Sequence, residues 1–356
     1  MGRDRDAPRR VPGHRDYEQP EGNMRSGLLN LALVAGLLVA APAVAQTDGS
    51  FQGTSLLGER MVTPHNGNKN VGDPALLARA AADAKAAFDA NMTIDTATWY
   101  GRVLFYQGYA RESADVYRQA LKKYPDSPKL LRHLAHRQFS LRDFDASIET
   151  GLRAAKLYEG LPLEREKLGP DYFPSTPDIV QYYLYYHLGQ AYFAKHDFDN
   201  AAKWFARSSQ AAALGFDPEA RTANTYWEFL SLARGGRMAE ARKVLDDYDL
   251  TLFQVHPEGG SDNYFDGIQL YKGHRDAKSF FTNQDSGRPF ADADGMAAST
   301  AYSLANYYML RGERDAARTW LKRAINVDSW SYFARIQAEA DWAALFPGED
   351  YRLDAQ

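Results

Sequence analysis

Cysteine is absent from the 356-residue chain, and so is an excess of positive charge, because the formal net charge is -4 at pH 7. The absence of cysteine excludes disulfides, thiolate metal sites, covalent haem attachment and a cysteine nucleophile. It also excludes the acylated cysteine of a bacterial lipoprotein. The net charge argues against a nucleic-acid-binding protein, which needs a basic surface to meet the phosphates. Any basic site in this chain must therefore be local.

Motifs for nucleotide, metal and hydrolytic chemistry are missing or weak. The sequence has no Gly-rich phosphate loop, and no Ser-His-Asp set can be proposed from its spacing. "FADADGMA" at 290–297 lacks the spacing and the terminal glutamate of a calcium loop. His133 and His136 could chelate a metal, but Arg132 and Arg137 beside them would repel a cation. We therefore predict neither a metal site nor a cofactor.

The N-terminal part has the layout of a secretory signal peptide at about 24–45. Arg25 precedes an apolar stretch, and Ala43-Val44-Ala45 supplies small residues before a cut between Ala45 and Gln46. Residues 1–23 would then come from an upstream start codon. An uncleaved anchor is the alternative, although the stretch is just short of the roughly 20 apolar residues that span a bilayer. We expect a periplasmic or secreted mature protein without a stable membrane span.

Two short regions precede the main part of the chain. Residues 46–73 are rich in Gly, Asn, Ser and Thr and have few aromatics, which favours a flexible lead-in. Asp73-Pro74 then has the form of a helix cap followed by proline in the first turn. The Ala-rich residues 74–93 that follow are predicted to form an amphipathic N-terminal helix.

Residues 94–346 contain a repeated pattern of helix pairs. In each repeat, a small residue on the first helix is followed sixteen positions later by a large residue on the second helix. This pairing lets the two helices pack closely. Gly151 and Phe229 break this size rule. Turn signals separate the two helices of each pair, and the apolar spacing on both sides is helical. The paired positions are Gly101 and Tyr117, Ala135 and Gly151, Gly189 and Phe205, Phe229 and Leu245, and Ala305 and Leu321.

The spacing of 34 residues from Gly101 to Ala135, the hairpins and the "LGQAY" at 188–192 resemble the tetratricopeptide repeat (TPR). The resemblance implies an all-α fold: a TPR-type α-solenoid, which is a right-handed superhelix of helix hairpins. Its first helices would line a concave face.

The repeat is interrupted in two places. About 20 extra residues lie near 159–178, and the spacing from Phe229 to Ala305 leaves room for a degenerate helix pair near 256–290. We predict about five clear repeats in all, a capping helix at 331–346 and a tail at 347–356.

The phase of the repeat predicts which side chains line the concave groove. In "QYYLYYHLGQAYF" (181–193), Tyr182, Tyr185 and Leu188 are expected to pack against neighbouring helices while other residues face the groove. Arginine forks and aromatic rings at such positions suit carboxylate or phosphate ligands and apolar parts of a peptide. The alternative is structural, with Tyr and His satisfied in the core and Arg paired across repeats. The predicted ligand-binding groove comprises Trp99, Arg102, Tyr106, Lys129, Arg132, His133, His136, Tyr183, Tyr186, His187, Gln190, Tyr226, Trp227, Tyr302 and Asn306.

A narrower resemblance concerns a family of exported bacterial TPR proteins without an established activity. It is carried by "WYGR" at 99–102, the Arg-His run of 132–137 and "YHLG" at 186–189, and it spans residues 95–345. Leu134 and Ala135 stand where that family has Arg-Gly, which removes one positive charge. The resemblance supports the fold and the site and implies no reaction.

Three functions are compatible with this sequence. The first is an exported, non-catalytic scaffold that binds a peptide, a protein or another anionic ligand in the basic-aromatic groove. The second is an enzyme or small-molecule-binding protein that uses the Arg/His cluster of the first three repeats as an anion pocket, with His133, His136 and His187 as acid-base groups. The third is an architectural subunit of a cell-envelope complex, bound through its convex face or the 159–178 loop. Side chains that converge on an enclosed pocket would favour the second over the first.

Overall fold

The computed structural model describes the greater part of a single compact unit, Gln46–Gln356. The predicted signal peptide and the residues before it lie outside the described part of the chain. The described residues are 50–63, 73–166, 169–170, 172–173, 178–215, 218–251, 262–280 and 293–353.

The described residues are mostly helical, which confirms the predicted all-α class. Thirteen helices occur within these ranges, and none of them is long and apolar enough to cross a membrane. The helices are α1 (Pro74–Ala90), α2 (Ile94–Tyr106), α3 (Ala110–Lys123), α4 (Pro128–Ser140), α5 (Phe144–Leu157), α6 (Val180–Ala194), α7 (Phe198–Gly215), α8 (Pro218–Arg234), α9 (Met238–Asp246), α10 (Asp262–Tyr271), α11 (Ala293–Met309), α12 (Arg314–Ile325) and α13 (Phe333–Leu345).

Local sequence explains where the first helices begin. Asp73 caps α1 by accepting a hydrogen bond from the amide of Ala75 at 2.8 Å, with Pro74 in the first turn. Thr93 begins α2 with a reciprocal capping box that includes Thr96. Ser127 caps α4 by accepting from the amide of Leu130, and like Asp73 it precedes a proline. Each cap satisfies an amide that the helix cannot bond internally.

Five hairpins turn through a residue with left-handed backbone geometry. Gly108, Gly236 and Gly312 have φ values of 90°, 79° and 76° at the turns predicted from the sequence. At the equivalent turns, Arg142 and His196 adopt φ values of 68° and 58°. Residues with a side chain reach this region at a cost of about 1–3 kcal/mol, so the two exceptions require compensation from their side chains.

Small residues let the paired helices approach closely. A Cβ on Gly101 would clash with the ring of Tyr117, and a Cβ on Gly189 would lie 2.8 Å from the ring of Phe205. Ser113 donates to the carbonyl of Gly101 at 2.6 Å and thereby joins α3 to α2. These contacts occur at the positions where the repeat pattern places small and large residues.

The first helices of the hairpins contact one another in chain order, α2 to α4, α4 to α6 and α6 to α8. We call these four helices the first-helix layer. The C-terminal helix α13 packs against both α6 and α11 as well as α12. The sequence predicts a capping helix at 331–346, and α13 is present there. It also packs against α6, which belongs to the layer that was expected to line the groove.

Residues 50–63 correct the prediction of a flexible lead-in. Strands β1 (Ser50–Thr54) and β2 (Arg60–Thr63) pair in antiparallel fashion. Thr63 donates to the carbonyl of Gly108 at 2.6 Å, and the buried Met61 packs among apolar side chains. The abundance of Gly, Asn, Ser and Thr suggested flexibility. The two short strands are nevertheless held in place by their contacts with the helices.

The two interruptions of the repeat take different forms. The inserted segment contains the two-residue strands β3 (Arg165–Glu166) and β4 (Asp178–Ile179), which pair with each other. Of the predicted degenerate pair, α10 forms the first helix. Residues 272–280 form turns in place of the start of a second helix, and residues 281–292 lie outside the described part.

Candidate functional site

Six basic side chains of α2, α4 and α6 gather on one side of the first-helix layer. The guanidinium of Arg132 lies 5.0 Å from the ring centroid of Tyr183, and that ring lies 6.1 Å from the ring of His187. The predicted register therefore brings Arg132 and His187 to the same side. We call this set the basic cluster, and it consists of Arg102, Arg132, His133, His136, Arg137 and His187.

A buried carboxylate from the inserted segment enters one end of the basic cluster. Glu166 accepts from Arg102 Nη1 at 3.0 Å and from His133 Nε2 at 3.0 Å. Burial lowers the pKa of His133 to about 3, so this imidazole is neutral, donates through Nε2 and accepts from Arg132 Nη1 at 2.7 Å through Nδ1. Burial opposes ionisation of Glu166, but the hydrogen bond from His133 and the charges of Arg132 and Arg102 hold the pKa of that carboxyl well below its ordinary value.

At the other end of the cluster a buried guanidinium faces histidines and no described carboxylate. Arg137 Nη2 donates to His136 Nδ1 at 2.6 Å, and the guanidinium lies 3.4 Å from the ring centroid of Phe105. His136 in turn stacks on His187 at 3.8 Å. Within the described residues, Arg137 Nε, Arg137 Nη1 and His187 Nδ1 have no hydrogen-bond partner.

Burial sets the protonation of this end of the cluster. It lowers the pKa of Arg137 to about 9, which still leaves the guanidinium charged at neutral pH. Burial, reinforced by nearby arginines, lowers the pKa values of His136 and His187 well below the ordinary value of about 6.5. Both imidazoles are therefore neutral, and Arg137 carries the charge of this end.

The cluster retains a solvent-accessible side. His136 has the rings of Phe105, His187 and Phe333 around it, at centroid distances of 5.3, 3.8 and 5.7 Å. Even so, His136, Phe105 and Phe333 are only half-buried, as is Tyr183. These partly exposed rings give this end of the cluster some contact with solvent.

The inserted segment covers the outer part of the predicted groove. Phe173 packs edge-on against Trp99 at 5.1 Å and stacks with Tyr106 at 6.2 Å. Lys129 pairs with Asp95 at 3.2 Å and with Glu164 at 2.6 Å. Three residues of the predicted groove are thus covered or neutralised by the chain itself, which corrects the picture of an open trough.

The predicted groove residues of the last repeats lie in the core. Trp227, Tyr302 and Asn306 are each 0% exposed. Tyr226 hydrogen-bonds Ser303 at 2.8 Å, with both hydroxyls buried. Their positions on the first helices were predicted correctly. The space in front of α8 is filled by α10 and α11, and the space in front of α11 is filled in part by the C-terminal helix.

Hydrogen bonds and ring contacts also hold helix α6 against α13 and α10. The side-chain amide of Gln337 donates to the carbonyl and to Oε1 of Gln190, at 2.9 and 2.8 Å. The hydroxyl of Tyr186 lies 3.3 Å from that of Tyr264, and the ring of Phe333 packs edge-on against Tyr186 at 5.7 Å. Gln190 and Tyr186 are therefore buried against other helices and do not face an open groove.

Two acids of α13 neutralise the cations at this end of the molecule. Asp341 accepts from Arg234 at 2.7 Å, from His196 at 2.9 Å and from Tyr302 at 2.8 Å. Burial opposes its ionisation, but Arg234 above all lowers the pKa of Asp341 to about 2. Glu339 accepts from Arg142 at 2.8 Å and from Arg335 at 3.0 Å.

The contacts of α13 supply the compensation that the strained turns require. Arg142 and His196, the two residues with a side chain at left-handed turn positions, are the ones that reach Glu339 and Asp341. Charged hydrogen bonds of this kind contribute about 1.5–3 kcal/mol each, which is comparable to the backbone cost of about 1–3 kcal/mol.

An open cavity of about 460 Å³ lies between β2 and the start of α13. Its lining includes acids and arginines together, namely Glu59, Arg60, Asp328 and Arg335. Arg335 is already bonded to Glu59, to Glu339 and to the carbonyl of Val327. The cavity therefore offers less unmatched charge than the basic cluster does.

Sequence reasoning missed Arg137, Glu166 and the acids of α13 as parts of these sites. Arg137 was recognised in the Arg-His run but was not assigned to the groove. Glu339 and Asp341 carry a signal in the sequence, because two acids lie among apolar residues in a helix that was expected to cap the array. Within the described residues, no three His, Cys, Asp or Glu side chains gather as metal ligands.

No protein-family model matches the sequence, and no curated protein shows significant similarity to it.

Proposed function

We propose that this protein is an exported, non-catalytic TPR-type protein that binds a small anion at the Arg137 end of the basic cluster, which is the small-molecule-binding form of the second function considered above. The site would consist of Arg137, His136 and His187, with aromatic rings around them. The ligand would be a small anion, because α13 and the inserted segment occupy the trough that an extended peptide would need.

Recurring local geometry supports the TPR-type solenoid. Each predicted hairpin turns through a left-handed residue, and Gly101 and Gly189 receive the rings of Tyr117 and Phe205 in the same way. Ser147 donates to the carbonyl of Ala135 at 2.8 Å, twelve residues earlier, just as Ser113 does to Gly101. Such repetition is typical of stacked helix pairs.

Export is supported by the sequence alone, through the signal-peptide layout at 24–45. The proposal of a periplasmic or secreted location can be tested by N-terminal sequencing of the protein from an exporting host. We expect the mature chain to begin at Gln46.

The observation that carries the proposed binding function is the unmatched charge of Arg137. Its side chain is 3% exposed, and two of its three nitrogens have no hydrogen-bond partner in the described part of the chain. Buried charges in proteins are ordinarily paired, because an unpaired one costs several kcal/mol in lost hydration. A bound anion would supply the missing partner.

The proposal of a non-catalytic role follows from the same neighbourhood. His136 and His187 are neutral, and no described nucleophile or carboxylate hydrogen-bonds to either ring through a side chain. His133 does bond the carboxylate of Glu166, but its other ring nitrogen accepts from Arg132, so within the described residues it has no nucleophile to activate. A histidine without an orienting acid or an adjacent nucleophile lacks the usual means of activation.

Thermal unfolding of the full chain in acetate, sulfate and chloride at matched ionic strength tests the proposed site. A ligand of the native state raises the unfolding midpoint, and the shift grows with its concentration. We expect at least one anion to stabilise the wild type and Arg137→Met to lose that response. Arg153→Met, which alters an exposed arginine paired with Asp126, should keep it. An equal response in Arg137→Met would contradict the proposal.

A further inference from the structure

We infer that the ligand of the Arg137 site is a monocarboxylate with a flat, apolar body, such as an aryl carboxylate. This inference rests on the proposed function and names the chemical class that the site would select. It draws on the charge at the site, the arrangement of donors and the shape of the aromatic surroundings.

The charge at the site favours an anion of low charge. Arg102 pairs with Glu166, and Arg132 donates to His133, although the charge of Arg132 also acts on His187. His136 and His187 add no charge in their neutral forms. A carboxylate needs the charge of Arg137 alone, whereas a dianionic phosphate would also have to draw on Arg132, which already donates to His133, and this favours the carboxylate.

The donors at the site suit a carboxylate as well. Within the described residues, Arg137 Nη1 has no partner and its neighbour Nη2 is bonded only to His136 Nδ1, so the guanidinium can present N–H groups to an oxygen pair. His187 Nδ1 is also without a partner in the described residues and can donate as the Nδ1–H tautomer. A carboxylate has two oxygens for these donors, whereas a halide has one centre.

Aromatic rings surround the donors. The face of Phe105 lies against the guanidinium at 3.4 Å, and Phe333 stacks with His136 at 5.7 Å and an interplanar angle of 21°. His136 and His187 stack at 24°, whereas Phe105 meets His136 edge-on at 61°. Phe105, His136 and Phe333 are half-buried, and aromatic surroundings of this kind suit an aromatic body on the ligand.

Isothermal titration calorimetry of the full chain with four probes tests the inference. The probes are benzoate, cyclohexanecarboxylate, inorganic phosphate and the uncharged benzamide. We expect benzoate to bind about tenfold more tightly than phosphate and benzamide, because of these three only benzoate combines one negative charge with an aromatic ring. Cyclohexanecarboxylate has the same charge without the flat body and should bind about threefold more weakly than benzoate.

Variants assign the selectivity to named side chains. Arg137→Met should weaken benzoate binding about tenfold or more, and Arg137→Lys, which keeps the charge but loses the fork, should fall between it and the wild type. Phe105→Ala should weaken the binding of benzoate more than the binding of phosphate, which has no ring to lose contact. Far-ultraviolet circular dichroism checks that each variant is folded, while the probe series on the wild type requires no variant.

The outcomes separate the inference from the proposed function. If phosphate binds as tightly as benzoate and Arg137→Met abolishes both, the anion site stands and the carboxylate class is wrong. If cyclohexanecarboxylate equals benzoate, the requirement for a flat body is wrong. If no probe binds the wild type, or if both Arg137 variants bind benzoate as tightly as the wild type does, the proposed function fails together with the inference.

Discussion

Two groups of buried cations, which we call the α13 end and the Arg137 end, differ in what neutralises them. At the α13 end, Arg234, Arg142 and Arg335 meet the carboxylates of Asp341 and Glu339. At the Arg137 end, Arg137 meets a histidine, and two of its nitrogens have no partner in the described residues. The first arrangement joins α13 to the rest of the fold, and the second is the one at which we propose that an external anion binds.

The largest effect is expected from removing the acids of α13. Asp341→Ala or Glu339→Ala leaves buried cations without their partner, and such changes cost about 3–5 kcal/mol in the free energy of unfolding. Urea unfolding measures the loss. Glu240→Ala is the control, because Glu240 pairs with Arg237 in an exposed position and its removal should leave the midpoint unchanged. A small effect of both α13 variants would contradict the structural role of that helix.

The pH dependence of stability should separate the two ends. The pKa values of His136 and His187 are lowered in the folded state, so below about pH 6.5 the unfolded chain binds protons that the folded chain does not. Stability contributed by these groups is complete above that pH and is lost as pH falls, by up to about 1.4 kcal/mol per pH unit for each histidine. The contribution of Asp341, with a pKa of about 2, should persist to below about pH 4.

His187→Phe tests this assignment, because it removes one of the two stacked imidazoles while keeping an aromatic ring. Urea unfolding between pH 5 and 7 should give a shallower pH dependence for the variant than for the wild type. Identical slopes would show that His187 does not titrate differently in the two states.

The smallest expected effect is the most informative about the unmatched arginine. Arg137→Met removes a buried charge that lacks a carboxylate partner, so the free energy of unfolding should stay within about 1 kcal/mol of the wild type or rise. Arg142→Met is the matched variant at the other end, and it should lose about 3 kcal/mol because Glu339 keeps its charge without this partner. Equal losses in the two variants would mean that Arg137 has a structural partner after all.

The sequence predicted the helices and their register because these depend on local signals. Caps such as Asp73 and Ser127, the turn residues and the small residues Gly101 and Gly189 each act through neighbours within a few residues or along one hairpin. The same register correctly placed Arg132 and His187 on one side of the layer. The N-terminal half of the predicted site could therefore be assembled from the repeat phase.

The rest of the site depends on contacts that are distant in the chain. Glu166 reaches Arg102 across 64 residues, and Glu339 reaches Arg142 across 197. Neither pairing leaves a periodic signal, so the repeat pattern could not show that acids from an insertion and from the last helix would fill the groove. For the same reason Tyr226, Trp227 and Tyr302 were predicted to line the groove. The repeat phase placed them correctly on first helices, but it could not show that other helices bury them.

Anomalous diffraction from a crystal soaked in sodium bromide tests the central contrast most directly, because bromide is a monoanion that can be located without knowledge of the natural ligand. We predict a bromide peak at hydrogen-bond distance, about 3.2–3.5 Å, from Arg137 Nη1 or His187 Nδ1, and no peak at Arg142, Arg234 or Arg335. Bromide at the three arginines bound by α13, with none beside Arg137, would contradict the account.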